Sequence, residues 1–311
     1  MRLACVLGLL VACGGGGGNP NTGDDDVQPD AAAPDAYVPP GYQMLISGDW
    51  TLPAPTSGSV EMYKCVKLKV PQDMWINSFR SLAPTGSHHE VLTITDTASQ
   101  LGVVTDCSPN ESLMDKEMLY AAGVGTDDFT FPDGVAIHLT AGTYINLNLH
   151  LFNASDNPLT GTSGVLVKTV DQASVVNEAA MVFGGRLPFT IPAAAQPYQV
   201  TGTCSAAADF HIVALWPHMH QIATHQSIQL NGTMLLDTDY SFTDQKNYPI
   251  ADTLVKASDT LTTTCTYMNT TGAAVSFGEY TEDEMCFSGM YRYPPSNSAN
   301  SEIACAYQQP I

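Results

Sequence analysis

From Tyr42 onward the chain is written in short, often alternating β-type runs, and no stretch carries an amphipathic helix of useful length. The runs are Cys65 to Val70, Val91 to Thr95, Tyr144 to Phe152, Val165 to Val170, Phe210 to Trp216, Ser227 to Leu230 and Leu261 to Tyr267. Gly, Pro, Asn and Asp separate them. Many short strands with frequent turns predict an all-β chain built of antiparallel sandwiches. The 311 residues exceed what one hydrophobic core usually serves, so two domains are expected. A boundary near 171–180 gives an N-terminal domain over 42–175 and a C-terminal domain over 176–311. No sequence repeat links the two halves.

The segment before Tyr42 does not contribute to that core. Met1 to Ala12 reads as a short export signal, with one positive charge followed by an apolar run. Leu10-Val11-Ala12-Cys13 fits a bacterial lipobox, in which Cys13 is lipidated and becomes the first mature residue; an ordinary signal peptide cut nearby is the other reading. The run is short of the ~20 residues that a membrane-spanning helix needs. Residues 14–41 hold five consecutive glycines, an Asp run and Ala/Pro repeats, which reads as a flexible linker reaching about 30 Å. The expectation is an exported lipoprotein, periplasmic or at the cell surface. Gly14 rather than an acid after Cys13 favours an outer-membrane anchor.

With 31 Asp+Glu against 11 Lys+Arg the formal charge is −20, and no Lys/Arg cluster is present. Nucleic acid and anionic lipid surfaces are therefore unsuitable partners. Beyond Cys5 and Cys13, six cysteines remain, an even number that suggests disulfides in an oxidising compartment. None is spaced C-x-x-C.

The chemistry lies in the histidines. In Trp216-Pro217-His218-Met219-His220 the two imidazoles are two residues apart, so on a strand they share a face and can converge on one metal. In Tyr144 to Phe152, the residues Ile145, Leu147, Leu149 and Leu151 form one apolar face, and Asn146, Asn148 and His150 form the other. A polar face in mid-strand fits a wet cleft or a metal site, or else a strand facing solvent. His88 and His89 are adjacent, and adjacent side chains diverge on a regular strand. Joint ligation needs a loop, a bulge or different ring nitrogens, which Gly86-Ser87 makes feasible.

Thr281-Glu282-Asp283-Glu284-Met285-Cys286, taken with these histidines, resembles the copper type II, ascorbate-dependent monooxygenases. The shared pattern is an adjacent His pair, a lone His on a later strand, an H-x-H pair and a Met within D-E-M-C, in that order. The resemblance runs from about Tyr63 to Cys305. It implies two jelly-roll-like β-sandwich domains, each with a copper site facing an interdomain cleft. His88, His89 and His150 would hold the electron-transfer copper, and His218, His220 and Met285 the oxygen-binding, catalytic one. The donor chemistry agrees, since imidazole suits copper and a thioether favours Cu(I), whereas zinc takes His, Cys or carboxylate. The resemblance also implies the disulfides Cys65–Cys107, Cys204–Cys305 and Cys265–Cys286. Closing the roughly 100-residue loop of Cys204–Cys305 would be worth about 4–5 kcal/mol in the chain-entropy model.

The resemblance implies a monooxygenase that uses two copper ions, O2 and ascorbate or a similar reductant to hydroxylate a C–H bond of a small molecule. In peptide-amidating members an Arg stands two places before the H-x-H pair, and an Asn and a Tyr follow the ligand Met. Here these positions hold Trp216, Phe287 and Gly289, so a more apolar, non-peptide substrate is expected. A copper-delivery lipoprotein without turnover and a structural β-sandwich are the readings from other classes. His138, His211 and His225 read as core or surface histidines, and His211 could also support the second site. The sequons at Asn110, Asn153, Asn231 and Asn269 carry no signal in a bacterial lipoprotein.

Overall fold

The computed structural model describes residues 37–123 and 126–296. The export segment with Cys13, the linker up to residue 36, and Cys305 lie outside the described residues. Among the described residues the regular structure is β-strand, with two short 3-10 turns, Pro109–Met114 and Gln172–Ser174, and no α-helix.

Two sheets come from the first half. One orders Gln43–Leu52, Leu159–Thr169, Met74–Leu82, Val135–Leu139 and Asn177–Glu178, with Phe129–Thr130 also paired to Met74–Leu82. The other orders Val104–Asp106, Val60–Lys69, Tyr144–Asn153, Ser87–Thr95 and Glu117–Gly123. Ladders are antiparallel except for Asn177–Glu178, which runs parallel to Val135–Leu139. Side chains alternate across each strand, so the apolar face of Tyr144–Asn153 (Ile145, Leu147, Leu149, Leu151, all 0% exposed) joins one core with Ile76, Phe79, Val165 and Val167 of the other sheet.

The second half builds a sheet of Ala180–Gly185, Phe287–Tyr293, Phe210–His218 and Tyr248–Val255, and another of Ala194–Ser205, Thr260–Asn269, Ala223–Leu230 and Thr233–Asp239. Asn177–Glu178 still belongs to the first half's sheet, and the chain crosses over within two residues, at Ala180. Three strands of the first of these two sheets, Ala180–Gly185, Phe287–Tyr293 and Phe210–His218, are buried on both faces. Val182, Ile212, Leu215 and Met290 pack toward the second sheet, while Met181, Phe183, Ala214, Trp216 and Tyr291 join the core of the first half. That double burial explains why Phe210 to Trp216 reads as a continuous apolar run with little alternation. Tyr291 stacks on Phe129 with ring centres 4.7 Å apart, and its hydroxyl donates to the Leu119 carbonyl at 3.2 Å.

Two of the sequons are turns. Asn153 and Asn269 each end a long strand, are 1% exposed, and accept through Oδ1 from the backbone N–H and hydroxyl two residues on, at Ser155 and Thr271. Each Nδ2 donates to the carbonyl four residues on, at Asn157 and Ala273. The halves thus share a strand-ending device that whole-sequence comparison of the halves does not reveal.

Candidate metal centre

Of the loop, bulge or different ring nitrogens by which the adjacent pair could ligate together, the structure has a bulge. Ser87 pairs with Leu151 and His89 with His150, so His88 is the extra residue, and both imidazoles can turn to the same side. Gly86 begins the bulge at φ +100°, and a Cβ there would stand 2.8 Å from the Trp50 ring. One ring nitrogen from each of His88, His89 and His150 lies within 4.8 Å of the others. His89 Nδ1 is 3.2 Å from His88 Nδ1 and 3.1 Å from His150 Nδ1. A neutral imidazole nitrogen carries either one proton or one lone pair, so His89 Nδ1 cannot bond both neighbours at once. A cation among the three satisfies all of them, and nitrogens about 2.0–2.1 Å from one metal stand roughly 3.3 Å apart. Burial, then the neighbouring imidazoles, holds His88 down at about 3 and His89 well below the usual range, so both are neutral as ligation requires.

Around His150 the second coordination layer is already built. Tyr63 sits opposite it in the ladder and stacks on it at 4.4 Å and 5°. His150 Nε2–H donates to Glu61, which leaves Nδ1 facing His89. Burial opposes ionisation of Glu61, but the hydrogen bonds from His150 and Thr281 outweigh it and hold the carboxyl at about 2.

In the second set, Asp283, Glu284, Met285 and Cys286 each have a structural part. The Asp283 carbonyl accepts from His220 Nδ1 at 3.1 Å, so the neutral ring presents Nε2. Glu284, 0% exposed, accepts the His220 N–H at 2.8 Å and the Ile222 N–H at 2.9 Å, and thereby fastens the turn after the H-x-H pair. Burial pushes its carboxyl up to about 7 against these donors. Tyr267 donates to the Met285 carbonyl at 2.7 Å, and Cys286 is bridged to Cys265. His218 Nδ1 meets the Gln245 carbonyl oxygen at 3.1 Å, again leaving Nε2. Burial keeps His218 and His220 neutral, at about 4 and about 3. The residues therefore fit a metal held by imidazole and thioether.

One cavity of about 130 Å³ is lined by His89 of the first set and by His218, His220 and Met285 of the second. The ring centres of His89 and His218 are 6.1 Å apart, and Phe242 lies 4.1 Å from His88 and 6.0 Å from His220. The remaining wall is mostly apolar and includes Val91, Phe183, Leu187, Trp216 and Phe287. Trp216 stacks on His218 at 4.8 Å.

Residues 178–310 match the family model described as the C-terminal domain of the copper type II ascorbate-dependent monooxygenases. Over these residues, fewer than half of its length, the chain is similar to that family. No curated protein matches the chain. Among solved structures, the major capsid protein P2 of bacteriophage PM2 is 11% identical over 81% of this chain and 99% of its own, with a TM-score of 0.34. A structure of the infectious bursal disease virus Gt strain is 11% identical over 85% and 74%, with a TM-score of 0.19. PNGF-II is 11% identical over 85% and 62%, with a TM-score of 0.27. Likenesses this distant carry no argument.

The copper monooxygenase match spans His218, His220 and Met285, whereas His88, His89 and His150 precede it and stand on geometry alone. Cys65–Cys107 and Cys265–Cys286 are bridged, and Cys204 also carries a disulfide; its implied partner Cys305 lies outside the described residues. His138, His211 and His225 pair with Asp73, Asp252 and Asp237. His211 does not support the second set, because it lies seven residues along its strand from His218, about 23 Å at strand rise. The polar face of Tyr144–Asn153 is buried rather than solvent-facing. Asn146 donates to Asp115 and Asn148 to the Ser108 carbonyl, under the turn Pro109–Met114. Sequence reasoning missed Glu61, Gln245 and Phe242. Only Glu61 had a signal: the run read from Cys65 starts at Val60, which puts Glu61 and Tyr63 on the face of Cys65.

Proposed function

We propose that this chain is a copper- and ascorbate-dependent monooxygenase that hydroxylates a C–H bond of a small, apolar-bodied, non-peptide substrate, using O2, two copper ions and ascorbate or a similar one-electron donor. The observation that carries the reading is one cavity lined by His89 of the first set and by His218, His220 and Met285 of the second. His88, His89 and His150 would hold one ion, and His218, His220 and Met285 the other. Bound copper supplies one-electron transfer and O2 chemistry.

The chain's own residues supply orientation and exclusion. Glu61, Gln245 and the Asp283 carbonyl select the ring nitrogen each histidine presents. Phe242 packs on His88 and lies near His220, which places one apolar ring beside both sets. A cavity near 130 Å³ is of the size that accepts a benzene ring. Asp115, Glu117 and Glu279 also line it, and Lys116, the one Lys lining it among the described residues, is paired with Asp96, so a substrate carboxylate is disfavoured. We further read the two halves, which part between Glu178 and Ala180, as two sandwich domains meeting at this cavity, a reading supported by the two pairs of sheets. Cys13 would anchor the exported protein to a membrane, the outer one where the cell has two.

Copper content of the purified chain after reconstitution and dialysis tests the reading. Two ions per chain, with substrate-dependent and ascorbate-dependent O2 uptake, is the expected result. Copper retained without O2 uptake would support the copper-delivery reading, and no retained copper would leave these histidines a structural role.

A further inference from the structure

The loop that carries Met285 touches the first histidine set as well as the second. Thr281, 6% exposed, donates its hydroxyl to Glu61 Oε1 at 2.6 Å, the oxygen that also accepts His150 Nε2–H, and the same hydroxyl lies 3.4 Å from His150 Nε2. Tyr63, stacked on His150, has its hydroxyl 3.3 Å from both Glu61 Oε1 and the Glu279 carbonyl oxygen. Two residues beyond Thr281, the Asp283 carbonyl orients His220, and Glu284 fastens the turn after it. Glu61 is thus the meeting point of a ligand of one set and the loop that serves the other.

We propose that Glu61 is a positioning residue with two tasks. It fixes the Nε2–H tautomer of His150, so that Nδ1 faces His89, and through Thr281 it anchors the loop of Met285, so that the two sets are oriented as one unit. A charge-assisted acceptor suits both tasks, because one carboxylate oxygen takes several donors and an ionised carboxylate cannot donate in return. The role rests on the proposed function, in which both sets bind copper. Its first task can be tested without metal.

The test uses the whole chain. The nitrogen-15 shifts of His150 report its tautomer in the metal-free protein, and a carbon-13 label reports the Met285 methyl. Chelator competition gives the Cu(I) affinity of the first set in a His218→Ala/His220→Ala background. Glu61→Ala is expected to split His150 between tautomers and to weaken Cu(I) binding about 10–100-fold. Glu61→Gln, whose amide oxygen still accepts Nε2–H, keeps one tautomer and loses less than about tenfold. Thr281→Val leaves the His150 tautomer intact but shifts the Met285 methyl, and Thr281→Ser restores it. An unchanged tautomer and an affinity within about twofold in Glu61→Ala would overturn the positioning role. A Met285 methyl unmoved in Thr281→Val would overturn the link. If the unmodified chain binds no copper, the copper reading fails, while the tautomer measurement still decides the role of Glu61.

Discussion

Replacing Glu284 separates hydrogen-bond acceptance from charge. Its Oε2 accepts the N–H groups of His220 at 2.8 Å and Met285 at 3.2 Å, and its Oε1 accepts that of Ile222 at 2.9 Å. At pH 8, above its folded value of about 7, the carboxyl is ionised in both the folded and unfolded chain. Glu284→Gln can keep its amide oxygen at the Oε2 position and retain two of the three bonds, but it turns an NH2 group toward the Ile222 N–H. Glu284→Leu removes the acceptor from all three. A buried donor left unsatisfied costs about 1–3 kcal/mol. The Gln variant should therefore lose about 1–3 kcal/mol and the Leu variant about 3–9 kcal/mol. At roughly 2–4 °C per kcal/mol for a chain of this size, the Leu variant should melt at least about 6 °C lower. Thermal unfolding of the metal-free protein at pH 8 measures both. Equal losses in the two variants would refute the reasoning, because they would mean that the charge of Glu284 matters and the number of N–H groups it accepts does not.

His88 titrates at about 3 when folded against about 6.5 unfolded, so below pH 6.5 the unfolded chain binds the proton and stability rises as pH rises through that window. Going from pH 5 to 6.5 should stabilise the wild type by about 1.5–2 kcal/mol more than His88→Asn, as read by urea unfolding. Gly86→Ala places a Cβ at φ +100° and 2.8 Å from Trp50, which should cost about 2–4 kcal/mol and weaken copper binding at the first set more than at the second. An unaltered melting temperature would remove that account of the bulge. Replacing Cys265 and Cys286 by Ser opens a link of sequence separation 21, worth about 3 kcal/mol, and should lower Cu(I) affinity mainly at the Met285 set. Calorimetry and chelator competition check the two effects separately.

The period-two pattern and the Gly/Pro punctuation were enough to give an all-β chain, because alternation is a local property of a strand and is written in neighbouring residues. The donor types were equally local: a His pair after Gly86-Ser87, an H-x-H pair and D-E-M-C. What covers a given face is not local. Asn146 and Asn148 read equally well as facing solvent, and only the turn Pro109–Met114 with Asp115 buries them. Glu61 selects the nitrogen of a histidine that lies far along the chain on a neighbouring strand, and it meets Thr281 from the other half. Gln245 reaches His218 from a loop with no sequence mark at all. The sequence by itself determined the strand class and the kinds of ligand. Tertiary structure decided which nitrogens face inward, which polar face is buried and which loop joins the two sets, because those depend on groups that meet only once the sheets have packed.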